Sequence, residues 1–148
     1  MNYSAIEYTL SQKSLDIYLS GCSAEPKCEG CHNPELWDFN VGFDIENSYQ
    51  IIENYINDYP NLINNIMIFG GEPLDQDIDK LKEFLVKLQK YNKKIWLFTR
   101  HYIFNVPNFI RCVCDYIKVG KYIPILKCDY NIQYGIKLAT SNQMIFRL

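Results

Sequence analysis

Charge of one sign is nowhere concentrated in this chain: 15 lysines and arginines stand against 17 aspartates and glutamates, a net charge of −2, and no Lys/Arg-rich block occurs. Binding to nucleic acid through a basic surface is therefore not indicated. Long hydrophobic runs are missing as well. Nowhere do about 18 apolar residues follow one another, the length a membrane-spanning helix needs. Met1 to Lys13 lacks a basic stretch followed by an apolar one, so it does not have the pattern of an export signal. Glycine and proline are sparse, at 7 and 6, and no linker, repeat or low-complexity segment divides the chain. These absences predict one soluble, cytoplasmic domain, residues 1–148, with neither nucleic acid nor a membrane as partner.

What is present suits an ordinary folded domain. The 148 residues are 48% hydrophobic and 22% charged, enough apolar material for a core. Six cysteines occur without an export signal. Intracellular thiols stay reduced and more often serve metals or catalysis than disulfides, so their spacing becomes the question.

Leu15 to Ser20 is a short apolar run that reads as a strand, and Gly21 to Pro34, with three cysteines, reads as a long functional loop. From Asp44, a candidate N-cap, Ile45, Tyr49, Ile52 and Ile56 recur at helical spacing until Pro60 blocks continuation. Ile66-Met67-Ile68-Phe69 is a continuous apolar run, the pattern of a strand buried on both faces by crossover helices. Asp75 to Tyr91 aligns Ile78, Leu81, Leu85 and Leu88 on one helical face, with acids early and lysines late. Lys94 to Thr99 and Tyr116 to Val119 give further strands, and Met144 to Leu148 a closing one. The alternation βαβαβ predicts an α/β fold with a parallel sheet.

Cys22, Cys28 and Cys31 form C-x5-C-x2-C on the loop after the first of these strands. Three thiolates there can converge on one small object, and a four-iron four-sulfur cluster held by three cysteines keeps one iron open. Two other readings of the same spacing stay open: a zinc site completed by His32, and plain thiols without metal. The turn Gly70-Gly71-Glu72-Pro73 follows a strand and precedes a helix, which puts it at the carboxyl edge of a parallel sheet, where ligands bind. Glycines there allow close backbone approach, and Glu72 adds a carboxylate suited to an ammonium group.

Together these residues resemble the radical S-adenosylmethionine enzymes, with three cluster cysteines and a GGEP-type methionine-binding turn. More narrowly, Ser20-Gly21-Cys22 followed by Cys28-Glu29-Gly30-Cys31-His32-Asn33-Pro34-Glu35-Leu36-Trp37 resembles the activating proteins of anaerobic ribonucleoside-triphosphate reductases. Phe69 to Leu74 is similar to that family's S-G-G-E-P-L, Trp96 to Thr99 to its strand ending in Y-T, Asp115 to Tyr122 to its D-x-x-x-x-G-x-[FY], and Ser141-Asn142-Gln143 to its S-x-N-Q.

The resemblance implies a single-domain partial (βα) barrel of mainly parallel strands. It implies that Cys22, Cys28 and Cys31 hold a 4Fe-4S cluster, and that Gly70, Gly71, Glu72 and Pro73 bind S-adenosylmethionine, with Thr99 touching it from the end of its strand. The activity implied is reductive cleavage of S-adenosylmethionine to a 5′-deoxyadenosyl radical, which abstracts hydrogen from a glycine of the partner. That partner would be the glycyl-radical subunit of an anaerobic ribonucleotide reductase, and the electron donor a small flavodoxin or ferredoxin. The alternatives are an activase of another glycyl-radical enzyme, of formate-lyase type, and a noncatalytic zinc or iron–sulfur electron-transfer module.

Five residues, Ser23 to Lys27, separate the first two cysteines where the family usually has three, and Thr9 to Ser14 replaces its glycine-rich N-G-x-G-x-R segment. Arg100 stands where glycine often follows the threonine, and as a lone arginine it reads as a solvated surface residue. Cys112 and Cys114, a C-x-C whose thiols would share one face of a strand, and Cys128 read as small packing residues. His101 is assigned no role, and Trp37 and Trp96 are read as packing.

Overall fold

The computed structural model describes residues 1–148. The chain opens with an antiparallel hairpin in which β1, Asn2–Thr9, turns through Leu10–Gln12 into β2, Ser14–Leu19. Asp16 closes that hairpin, accepting 2.6 Å hydrogen bonds from the hydroxyls of both Thr9 and Ser14. The sequence reading gives β1 no element. The register slips between Tyr3 and Ala5, and a slip breaks the period of two by which a strand is recognised.

A short β3, Phe43–Asp44, adds to β1, and three strand–helix units follow. They are α1, Ser48–Asp58, with β4, Asn65–Gly70; α2, Ile78–Gln89, with β5, Lys94–Phe98; and α3, Asn108–Val113, with β6, Tyr116–Val119. A hairpin of β7, Ile132–Gln133, and β8, Ile136–Lys137, precedes β9, Met144–Arg147. The seven-stranded sheet runs β3-β1-β2-β4-β5-β6-β9. Its four inner strands β2, β4, β5 and β6 are parallel, and β1 and β9 flank them antiparallel.

Caps set the helix starts. Asp44 accepts from the N–H of Glu46, but it caps a 3-10 turn, Ile45–Asn47, that leads into α1. α2 begins later than the acids at Asp75 suggest, because Asp77 is the cap: its Oδ1 takes the N–H groups of Asp79 and Lys80 at 3.1 Å.

All three helices lie on one face of the sheet. Leu15, Ile17, Ile66, Ile68, Leu97 and Ile117 share one buried cluster with Ile52 of α1, Phe84 and Leu88 of α2 and Ile110 of α3. Met67 and Trp96 point to the opposite face, where they meet Leu138 and Ile145. The expectation that crossover helices bury β4 on both sides is thus corrected: the second face is covered by the segment around β8, and Ile145 of the edge strand β9 joins the cluster there. A row of aromatic rings continues along that face from Tyr18 to Phe69 to Phe98, with centroids 5.5 and 4.1 Å apart.

Phe84→Ala is expected to lower unfolding free energy by about 3–5 kcal/mol, because the ring is wholly buried between α2 and the sheet. Val86→Ala, on the exposed side of the same helix, is expected to stay within about 0.5 kcal/mol. Urea titration followed by circular dichroism checks both, and equal losses would mean that the face of α2 is misassigned.

Candidate functional site

The parallel strands all end at one edge of the sheet, and the chain there is stitched by backbone. Gly71 N–H donates to Leu19 C=O and Glu72 N–H to Gly21 C=O, both at 2.8 Å. Gly21 N–H donates in turn to Leu36 C=O at 2.8 Å, and Cys22 N–H to Trp37 C=O at 3.1 Å. From below, Gln76 Nε2 donates to the Ser20 carbonyl at 3.0 Å. The cysteine loop and the glycine turn therefore form one unit. Glycine is required at both turn positions: a Cβ on Gly71 would overlap the carbonyl oxygens of Gly21 and Leu36, and Gly70 takes φ +123° with its missing Cβ against Leu19 C=O.

Above this junction lies a cavity of about 260 Å³. Cys22, Cys28, Cys31, Gly70, Gly71, Glu72 and Thr99 all line it, and Phe69 and Phe98 supply apolar wall. Pro73 does not reach it; buried, it starts the 3-10 turn Pro73–Asp75 that supports Glu72 from behind.

All six cysteines are free thiols. Cys22 is buried, while Cys28 and Cys31 are half-buried. No three His, Cys, Asp or Glu side chains close around a point that one ion would fill. His32 lines the same cavity, with its ring 6.0 Å from that of Tyr122. Three reduced sulfur donors spread round one wall are a soft donor set, fitted to iron–sulfur ligation.

The carboxylates of the turn are already engaged. Glu72 is 1% exposed; its Oε1 accepts from Thr99 Oγ1 at 2.6 Å and Leu74 N–H at 3.0 Å, and its Oε2 from Arg100 N–H at 2.8 Å. The Thr99 hydroxyl also accepts from His101 N–H at 3.1 Å, so this threonine joins β5 to the turn. Arg100 is not a solvated surface arginine, and that expectation is corrected: its Nη2 meets both oxygens of Asp75 at 3.0 Å, a pairing invisible in sequence because it spans 25 positions.

Burial pushes the Asp75 carboxyl upward, but hydrogen bonds from Ser23 and Arg100 outweigh it and hold the pKa below the usual carboxylate range. Burial raises the Cys28 thiol; Lys121 and Arg100 oppose the rise, and Cys31 and Cys22 add to it. Lys118 is the residue that sequence reasoning missed. It lines the cavity from β6, and burial lowers its ammonium to about 8 despite the nearby charges of Glu72 and Cys28. The signal was a lysine alternating with buried Ile117 and Val119, one step from the strand's carboxyl end.

The remaining cysteines stay outside the site. Cys112 lies in α3 and Cys114 just after it, so they are not a strand pair; both line a separate cavity that Lys93, Lys94 and Arg111 share. Burial pushes the Cys114 thiol up to about 12, the behaviour of a packed core residue. Cys128 donates its backbone N–H to Ala139.

The model of one family, described as a 4Fe-4S single cluster domain, matches residues 13–126. That stretch runs from the β1–β2 turn past β6 and includes the three cysteines, the glycine turn and Thr99. No curated protein matches the chain.

Because its folded pKa is depressed, Asp75 contributes stability that is complete above its unfolded value of about 4 and is lost as pH falls through the lower folded value. Asp75→Asn is therefore expected to be less stable than wild type near neutral pH, with the difference shrinking on acidification below about pH 4. Urea midpoints measured from pH 7 to pH 3 check this, and a difference that does not change with pH would contradict it.

Proposed function

The chain belongs to the 4Fe-4S single cluster domain family, and from that premise we propose that it is a radical S-adenosylmethionine activase serving the glycyl-radical subunit of an anaerobic ribonucleotide reductase. The observation that carries the proposal is the shared cavity: the three cysteines and the Gly70 to Glu72 turn line one space and are joined by backbone hydrogen bonds at Gly21.

In this reading Cys22, Cys28 and Cys31 hold the cluster, and the turn receives the methionine end of S-adenosylmethionine. When bound, this pair supplies one-electron cleavage of the sulfonium and hence hydrogen-atom abstraction from the partner's glycine. The chain's part is to bind, orient and keep water out. Glu72 is locked by Thr99 and by the Arg100 N–H, so the turn keeps its shape before a ligand arrives. Phe69 and Phe98 give the cavity a dry wall, which limits quenching of reactive species by solvent. Lys118 offers a cation to the anionic end of a ligand. The run β2-β4-β5-β6, with every helix on one face, supports a partial (βα) barrel, whose ligands sit at the carboxyl ends of the strands. A small flavodoxin- or ferredoxin-like protein would deliver the electron.

Anaerobic reconstitution with iron and sulfide, then dithionite and S-adenosylmethionine, should yield 5′-deoxyadenosine from wild type and none from Cys31→Ala. Glu72→Ala should retain its iron while losing affinity for S-adenosylmethionine. A fully loaded wild-type cluster that forms no 5′-deoxyadenosine would reject the activase and favour an electron-transfer module.

A further inference from the structure

The interval between Cys22 and Cys28 is almost without backbone support. From Ser23 to Gly30 a single main-chain N–H finds an acceptor, that of Ser23, and the acceptor is the side chain of Asp75 at 2.7 Å. Within the loop, Lys27 Nζ donates to Cys22 C=O and lies 5.6 Å from the Trp37 ring centroid, but neither contact leaves the neighbourhood of the loop. One carboxylate from the turn after β4 thus ties down the stretch that carries the first cysteine toward the second.

That carboxylate is itself braced. The Asp75 side chain is 7% exposed, and Arg100 Nη2 binds both its oxygens at 3.0 Å while His101 Nε2 lies 3.4 Å from Oδ1. Arg100 is fixed from the other side, where its N–H donates to Glu72 Oε2 and its Nε, buried without a hydrogen-bond partner, lies 3.8 Å from the same oxygen. Hydrogen bonds between charged groups are about twice as strong as neutral ones, and a partly buried pair is screened less than a surface pair. The contact at Ser23 is therefore the end of a chain running from β5 through Arg100 and Asp75 into the cysteine loop.

We propose that Asp75 is a positioning residue for the cluster, with Arg100 as its latch: it holds the Cys22 end of the loop against the glycine turn so that the three thiols face one cavity. The assignment rests on the cysteine loop holding the cluster and is independent of S-adenosylmethionine chemistry. A loop that is released only at Ser23 would expose Cys22 without unfolding the core.

The test uses reduced, metal-free protein under anaerobic conditions, pulse-labelled with iodoacetamide at neutral pH, with each cysteine read by peptide mass spectrometry. Cys114, 4% exposed in the core, reports global loosening, and exposed Cys112 reports reagent reactivity. In Asp75→Asn, Cys22 should label about tenfold faster, well beyond the rise at Cys114 that the lower global stability of this variant brings, while exposed Cys112 keeps its wild-type rate, as local opening requires. Arg100→Met, which keeps the Ser23 bond but removes the latch, should raise Cys22 labelling by about threefold, in line with a partly exposed ion pair. It carries the test if Asp75→Asn fails to fold. After reconstitution, the variants should release iron to a chelator faster than wild type. Unchanged Cys22 labelling, a rise matched by Cys114, or wild-type iron release would each overturn the assignment. A variant pattern as expected, in protein that forms no 5′-deoxyadenosine, would retain the clamp and reject only the activase.

Discussion

The site depends on one close approach, that of the Gly70–Gly71 backbone to the chain at Leu19–Gly21. Two parallel strands normally separate once their ladder ends. Here the ladder is extended past β2 and β4 by the Gly71 and Glu72 N–H groups, which reach the carbonyls of Leu19 and Gly21. A side chain at either glycine would enter space held by backbone carbonyls, which cannot swing aside as a flexible side chain can. The position of the cysteine loop relative to the turn is therefore fixed by main chain, with Gln76 reinforcing it at the Ser20 carbonyl.

Around that junction charge is balanced before any ligand binds. Glu72 and Asp75 are nearly buried carboxylates, and an uncompensated buried charge is costly. Thr99 and the backbone of Leu74 and Arg100 satisfy the first, while Ser23 and the Arg100 guanidinium satisfy the second. The three thiols line the cavity together with His32 and with Lys118, whose Nζ donates to the Gly120 carbonyl at 2.9 Å. A thiolate-ligated cluster carries negative charge, so lysine and arginine beside the thiols would favour retention of the cluster proposed there by simple Coulomb attraction.

Much of this was legible in the residues because it is local. Every inner strand and both longer helices follow from apolar periodicity, and the spacing of Cys22, Cys28 and Cys31 marks the loop directly. What escaped is long-range or irregular. The slip between Tyr3 and Ala5 hides β1, and Met67 and Phe69 signal burial on a second face without saying that the segment around β8 provides the cover. Arg100 meets Asp75 only because β5 and the turn after β4 end side by side. Lys118 looks like an ordinary strand lysine until Glu72 and Cys28 are placed across the cavity from it.

The same distinction bears on the lengthened interval between the first two cysteines. Added residues in a loop cost little closure entropy, since each doubling of length adds only about 0.6 kcal/mol, but every unsupported residue widens the set of positions the flanking thiols sample. A cluster bound in this loop, as proposed, would need its ligands held in place as well as near one another. In this chain the holding falls to the glycine junction below the loop and to one carboxylate at its start, so a longer interval is tolerated only as far as those two contacts confine it. That makes the Asp75–Arg100 pair a counterpart of the Ser23 to Lys27 interval: the loop's freedom and its restraint are encoded about fifty positions apart and meet at a single N–H.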